Sequence, residues 1–200
     1  MNTLEAIQQR RSVKHYDANH QMSDDEVKTL MEHVILSPTS FNMQNWRFVL
    51  VRDPELRKQV RAAAWDQAQV TDASLLIILC ANLNSWQTPE KYFTTAPDAV
   101  RDMLQPMIPK FYEGKEQLQR DEAMRSCGIA GQTIMLGAKA MGYDSCPMIG
   151  FDSAGVAKVI NLPDDHAIGF IVVVGKATKP AWPRLGQLSM DEVVIEDKFA

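Results

Sequence analysis

The residues best equipped for chemistry in this 200-residue chain form the run Arg10-Arg11-Ser12-Val13-Lys14. Three cations and a hydroxyl placed directly after a predicted helix can hold a phosphate, because a guanidinium offers a planar fork of donors and an ammonium a point charge. The same cations would also complement the negative end of a helix dipole in water, and composition does not separate the two readings. A second polar cluster, Ser37-Pro38-Thr39-Ser40-Phe41-Asn42-Met43-Gln44, supplies hydroxyls and amides that both donate and accept, as a polar heterocycle requires. Taken alone, it also reads as a turn.

Other chemistries find less support. Gly169–Thr178 has the glycines and lysine of a phosphate-binding loop, but Ala177 stands where a hydroxyl should bind magnesium, and Phe170–Val174 reads as a strand. No G-x-G-x-x-G follows a strand, so a Rossmann nucleotide site is not expected. His15, His20, His33 and His166 make no metal spacing with one another or with the cysteines, and no metal is expected. Neither a Ser/His/Asp nor a Cys/His constellation is apparent.

The elements that must position these residues are legible in part. Thr3 is expected to cap a short helix through Arg10, and Ser23-Asp-Asp-Glu26 is a capping box opening a second helix. The apolar stripe of that second helix is Val27, Leu30, Met31, Val34 and Ile35, and Ser37-Pro38 ends it. Trp46–Val51 reads as a strand, and Pro54–Trp65 as a helix with Arg57, Lys58 and Arg61 turned to solvent. Leu75–Ala81 is predicted as a buried strand, and 97–117 as helix interrupted at Pro106 and Pro109. Asp121–Met141 is predicted as a helix apolar nearly all round, which needs cover from its own domain or a second subunit. Then follow a loop at Tyr143–Gly150, a short helix near Asp152–Asn161, a strand at Ile168–Val174, and a tail with a β-like Val193-Val194-Ile195 that can leave the body as an arm. Mixed strands and helices without strict βαβ alternation make the class α+β.

Composition sets the limits. Apolar residues at 46% and charged residues at 23% are those of a folded chain, and the length suits one domain, 1–200. A net charge of −4 argues against nucleic acid or an anionic membrane as main partner. Cys80, Cys127 and Cys146 lie in apolar stretches and are expected as buried free thiols in a reducing compartment. The start, MNTLEAIQQRR, has no signal-peptide pattern, and the apolar runs fall short of the ~18–20 residues of a membrane span. A cytoplasmic protein is the expectation.

The segments taken together and in order carry more than each alone. From Arg10-Arg11-Ser12, through Ser37–Trp46, to Pro147-Met148-Ile149-Gly150-Phe151 and finally Gly175-Lys176 and Arg184, the sequence resembles the nitroreductase family of FMN-dependent oxidoreductases over nearly its whole length. The resemblance implies an α+β fold with a mixed β-sheet flanked by helices, in an intertwined homodimer with FMN at the subunit interface. It implies that Arg10, Ser12 and Arg184 hold the FMN phosphate, with Arg11 and Lys14 near the phosphate, ribityl chain or ring. By the same resemblance, Pro38, Thr39, Ser40 and Asn42 reach the flavin from the partner subunit. Gln69, or else Gln67, bonds the ring edge, and Pro147, Met148, Ile149 and Gly150 line the ring with a backbone N–H near Ile149 facing N5. Two departures stand out: Asn45 replaces the family's usual Pro before Trp46, and Trp182 stands where some members carry a second phosphate-binding Lys.

The implied reaction passes hydride from NADH or NADPH through the flavin to a small-molecule electron acceptor such as a nitroaromatic or quinone, in two steps. No side chain need act as nucleophile or base. The aromatic-rich insertion at about 86–119, with Phe111 and Tyr112, suits a substrate wall, and 177–200 a C-terminal arm; the same aromatics would also serve as packing. A dehalogenase, an enone or aldehyde reductase, and a non-enzymatic flavin-binding dimer remain open alternatives.

Overall fold

The computed structural model describes residues 1–199; Ala200, the last residue of the expected arm, lies outside the described residues. In chain order the helices are α1 (Thr3–Gln9), α2 (Asp24–Val34), α3 (Pro54–Ala63), α4 (Gln69–Asp72), α5 (Asp98–Leu104), α6 (Met107–Tyr112), α7 (Glu116–Ala140), α8 (Ser153–Val159) and α9 (Met190–Val193). The strands are β1 (Trp46–Leu50), β2 (Leu75–Asn82), β3 (Asp144–Met148) and β4 (His166–Gly175). They form one sheet in the order β1-β2-β4-β3, every neighbouring pair antiparallel. A parallel component enters through an isolated bridge between Ser12 and Ser145.

The α+β arrangement follows from the central pair. β2 is buried along Leu75–Ala81 and pairs on both sides, so both its faces need cover. One face packs Leu75, Ile77 and Leu79 with Ala123, Cys127, Ala130 and Ile134 of α7 and Leu30 and Val34 of α2. The other packs Leu76, Ile78 and Cys80 with Val60 of α3 and Val156 of α8. Small residues let α7 sit close to the sheet. A Cβ built on Gly131 would lie 2.1 Å from Cζ of Phe170 on β4. Gly131→Ala is therefore expected to destabilise the fold by about 1–3 kcal/mol despite alanine's better helix propensity, because the ring must be displaced from a packed site. Thermal unfolding of the variant checks this, and a melting temperature at or above wild type would show that the ring yields freely.

Several expectations are corrected. The cap of α1 is Asn2, paired with Glu5 in a capping box, rather than Thr3; the Ser23/Glu26 box forms as expected. The stretch 143–150 is not all loop: 144–148 is the edge strand β3, where Pro147 is tolerated because an edge residue can forgo its ladder donor. Arg57 does not face solvent. Burial lowers its pKa, and its guanidinium gathers the carbonyls of Val51 (2.9 Å), Ala73 (2.7 Å), Ser74 (3.1 Å) and Thr71 (3.3 Å) at the ends of neighbouring elements. The long helix α7 begins at Glu116, before the expected Asp121, and its own chain leaves Arg125, Gly128, Ile129 and Gln132 exposed, which leaves cover by a second subunit open. In the tail, Val193 ends the short α9 instead of a strand.

Cys80, Cys127 and Cys146 are free and buried, and burial raises all three thiol pKa values, Cys127 to about 12. No helix among the described residues is long and apolar enough to cross a membrane.

Candidate functional site

The cation run sits where it does because the chain after α1 is stitched to the sheet edge on both sides. Val13 N–H donates to Ser145 O (3.1 Å), Thr178 N–H donates to His15 O (3.0 Å), and Tyr16 bridges Ala177. Val13 and Tyr16 point into the core, which turns Ser12, Lys14 and His15 outward. The returning tail then closes a second wall. Arg10, Arg11, Ser12, Lys14 and Arg184 line one cavity of about 360 Å³ with Trp182, and no carboxylate among the described residues lines it.

Four contacts hold that tail. Arg11 donates to the Trp182 carbonyl, Lys14 Nζ lies 5.0 Å from the centre of the Trp182 ring, and Arg184 donates to Gln8 O (2.9 Å) and Arg10 O (3.4 Å). Arg184 thus serves the exposed carbonyls at the end of α1, where a cation is favoured. A guanidinium carries five N–H donors, so these contacts leave others for an anion. Trp182 replaces a lysine of the implied pattern but remains part of the wall, stacked on Lys14. Four cations and a hydroxyl with no competing carboxylate fit a phosphomonoester.

Beside this cavity β3 carries the residues expected to line a ring. Ile149, just past its end, is 76% exposed, while Met148 turns its side chain into the core. Gln69 Nε2 donates to Gln67 Oε1 (2.9 Å), and Gln67 Nε2 donates to Gly150 O (2.7 Å), so both glutamines join this edge as a relay, with Gln67 the one that reaches it. Trp65 is a residue that sequence reasoning missed. It adopts φ 53°, is 70% exposed, and a Cβ on Gly150 would come within 2.9 Å of its ring. Its only signal was an indole at the end of an amphipathic helix.

The remaining expected residues lie elsewhere. Pro38, Thr39, Ser40 and Asn42 form a loop that closes on the 86–112 segment: Asn42 Nδ2 donates to Tyr92 O (2.8 Å) and Tyr112 OH to Ser40 Oγ (3.0 Å). None of these residues, nor Phe111 or Tyr112, lines the cation cavity. Of the expected wall pair, Phe111 is 46% exposed, whereas Tyr112 is buried among Met43, Phe93 and Ile108. Tyr112 therefore cannot present its ring as a wall, since its surface is already spent on packing. No group of three or more His, Cys, Asp or Glu side chains able to hold a metal occurs among the described residues.

Comparison with known proteins meets this geometry. The chain is 54% identical over 182 residues to Protein DrgA of Synechocystis sp., covering 90% of this chain and 87% of that one. It is 28% identical over 198 residues to the oxygen-insensitive NADPH nitroreductase of Helicobacter pylori, covering 94% and 93%. An Exiguobacterium sibiricum protein solved in complex with FMN superposes with a TM-score of 0.91 at 27% identity, over 98% of this chain and 97% of that one. The family model described as the nitroreductase family matches residues 7–176. With a cation cavity closed by both ends of the chain, an antiparallel sheet behind it and this match over most of its length, the chain belongs to the nitroreductase family.

Proposed function

We propose that this chain is an FMN-dependent oxidoreductase that takes reducing equivalents from NADH or NADPH and passes them to small electrophilic acceptors, nitroaromatics and quinones among them, in two separate half-reactions. The observation that carries the reading is the cavity with four cations and no carboxylate. FMN, when bound, supplies hydride transfer at its N5 atom.

The protein's part is to bind, orient and exclude. Arg10, Ser12 and Arg184 would hold the phosphate, with Arg11 and Lys14 near the phosphate, ribityl chain or ring, and Gln67, held by Gln69, would border the ring with Pro147, Ile149 and Gly150. Ile149 is exposed just past β3, and a backbone N–H near it would face developing negative charge at the flavin, the role of a preorganised dipole. Phe111 is the open aromatic face for the acceptor.

The loop 38–42 lies outside the cavity of its own chain, and in this reading it serves the cavity of a second copy in a homodimer. Exposed Leu36 and Ile129 on the body, with Leu185, Leu188 and Phe199 on the 177–200 arm, supply apolar surface for that association.

Purified protein is expected to be yellow, to release FMN on denaturation, to sediment its colour as a dimer, and to oxidise NAD(P)H with menadione or a nitrofuran. Protein that stays colourless after incubation with FMN overturns the reading; flavin-loaded protein without acceptor-dependent turnover leaves only a binding module.

A further inference from the structure

The loop expected to touch the cofactor is held against its own backbone preferences. Phe41, Asn42 and Gln44 have φ of 50°, 54° and 43°, the left-handed region that side chains other than glycine's disfavour. Such a conformation persists only where surrounding contacts determine it. Within the loop, the Gln44 N–H donates to Thr39 Oγ1 (2.9 Å), the Asn42 N–H to Thr39 O (3.1 Å) and the Met43 N–H to Ser40 O (3.0 Å). Two polar ties come from the insertion: Tyr92 O accepts from Asn42, and Tyr112 OH donates to Ser40. The Phe41 ring adds an edge contact to Tyr112.

Tyr112 is suited to hold such a loop. Its ring is 1% exposed, packed with Met43, Phe93 and Ile108, and braced edge-on by Phe111 at 5.0 Å, so the hydroxyl emerges at one place. Burial raises its pKa, keeping the phenol protonated and therefore a donor. Because Tyr112 donates, Ser40 cannot give its own proton to Tyr112, and the Ser40 hydroxyl is left to donate elsewhere.

We infer that Tyr112 is a positioning residue: its hydrogen bond sets the Ser40 hydroxyl as a donor toward an acceptor atom of the flavin, so that the insertion governs cofactor binding as well as acceptor choice. This rests on the FMN reading above. It also divides two adjacent residues, with Phe111 facing the acceptor and Tyr112 acting on the cofactor through Ser40.

The test is a double-mutant cycle with Tyr112→Phe, Ser40→Ala and the double variant, read by FMN titration through fluorescence quenching and by the visible spectrum of the bound flavin. Tyr112→Phe keeps the packed ring and removes one hydroxyl. Each single variant is expected to weaken FMN about three- to tenfold, and the double variant to bind no more weakly than Ser40→Ala, with the flavin band displaced alike in all three. A merely structural Tyr112 would lower the melting temperature of the flavin-free protein and leave FMN affinity and the band in place. Wild-type FMN affinity in Tyr112→Phe, or losses that multiply in the double variant, overturn the inference. Ser40→Ala probes the same bond from the partly exposed end should the tyrosine variant fold poorly. Wild-type protein that binds no FMN is a different failure, that of the cofactor reading itself.

Discussion

Replacing Arg10 or Arg184 by alanine is expected to weaken FMN binding about ten- to a hundredfold while leaving riboflavin binding nearly unchanged. A charge-assisted hydrogen bond contributes roughly 1.5–3 kcal/mol, which converts to one or two powers of ten in affinity. The two residues differ in what else they do. Arg184 also holds the carbonyls of Gln8 and Arg10, so its removal loosens the tail; Arg10 makes no salt bridge among the described residues. Riboflavin separates the effects, since it lacks the phosphate but needs the same ring pocket. Equal losses for both flavins would show that these cations shape the pocket and do not hold the phosphate. Lys14→Ala is expected to cost less, because its ammonium is a point charge already placed over the Trp182 ring.

Arg57→Ala is expected to be the most damaging single change to the fold, at about 3–5 kcal/mol. It strands the buried carbonyls of Val51 and Ala73 and loosens those of Ser74 and Thr71, and each buried acceptor left without a partner costs about 1–3 kcal/mol. Against a usual total of about 5–15 kcal/mol, the loss is large. Urea unfolding of flavin-free protein measures it without the stabilisation a ligand adds. Arg57→Lys should recover only part, because an ammonium cannot reproduce the spread of a guanidinium. A midpoint for Arg57→Ala close to wild type would mean that water satisfies those carbonyls.

Arg57 also shows where sequence reasoning stops. A helix starting at Pro54 was legible from the Asp-Pro start and the apolar period, and that same period placed Arg57 outside. What draws it inward is the set of carbonyls left over where β1 and α4 end, a fact of tertiary arrangement with no trace in local spacing. β3 was hidden for another reason: Asp144-Ser-Cys-Pro-Met has no β-branched residue, and its strand character comes from the long β4 beside it. By contrast β2 was plain, since seven consecutive apolar residues can only be buried. At the candidate site, Arg10, Arg11, Ser12 and Lys14 were named from their chemistry and Arg184 from the family resemblance, and the structure places these five in one cavity. The different fates of Phe111 and Tyr112 were not legible, because two adjacent aromatics on a short helix give no sign of which one faces inward.

The separation of the two cavity walls along the chain has a consequence for biosynthesis. Arg184 meets the carbonyls of Gln8 and Arg10 across 176 and 174 residues, whereas the last strand of the sheet ends at Gly175. Synthesis runs from the amino terminus, so the wall at 10–15 exists through most of translation while the wall at 180–187 is still untranslated. Through that interval Arg10, Arg11 and Lys14 repel one another with no second wall and no place to retain an anion. Cofactor loading is thereby deferred until residues 180–187 have been made, and a translation product halted after β4 would stay empty.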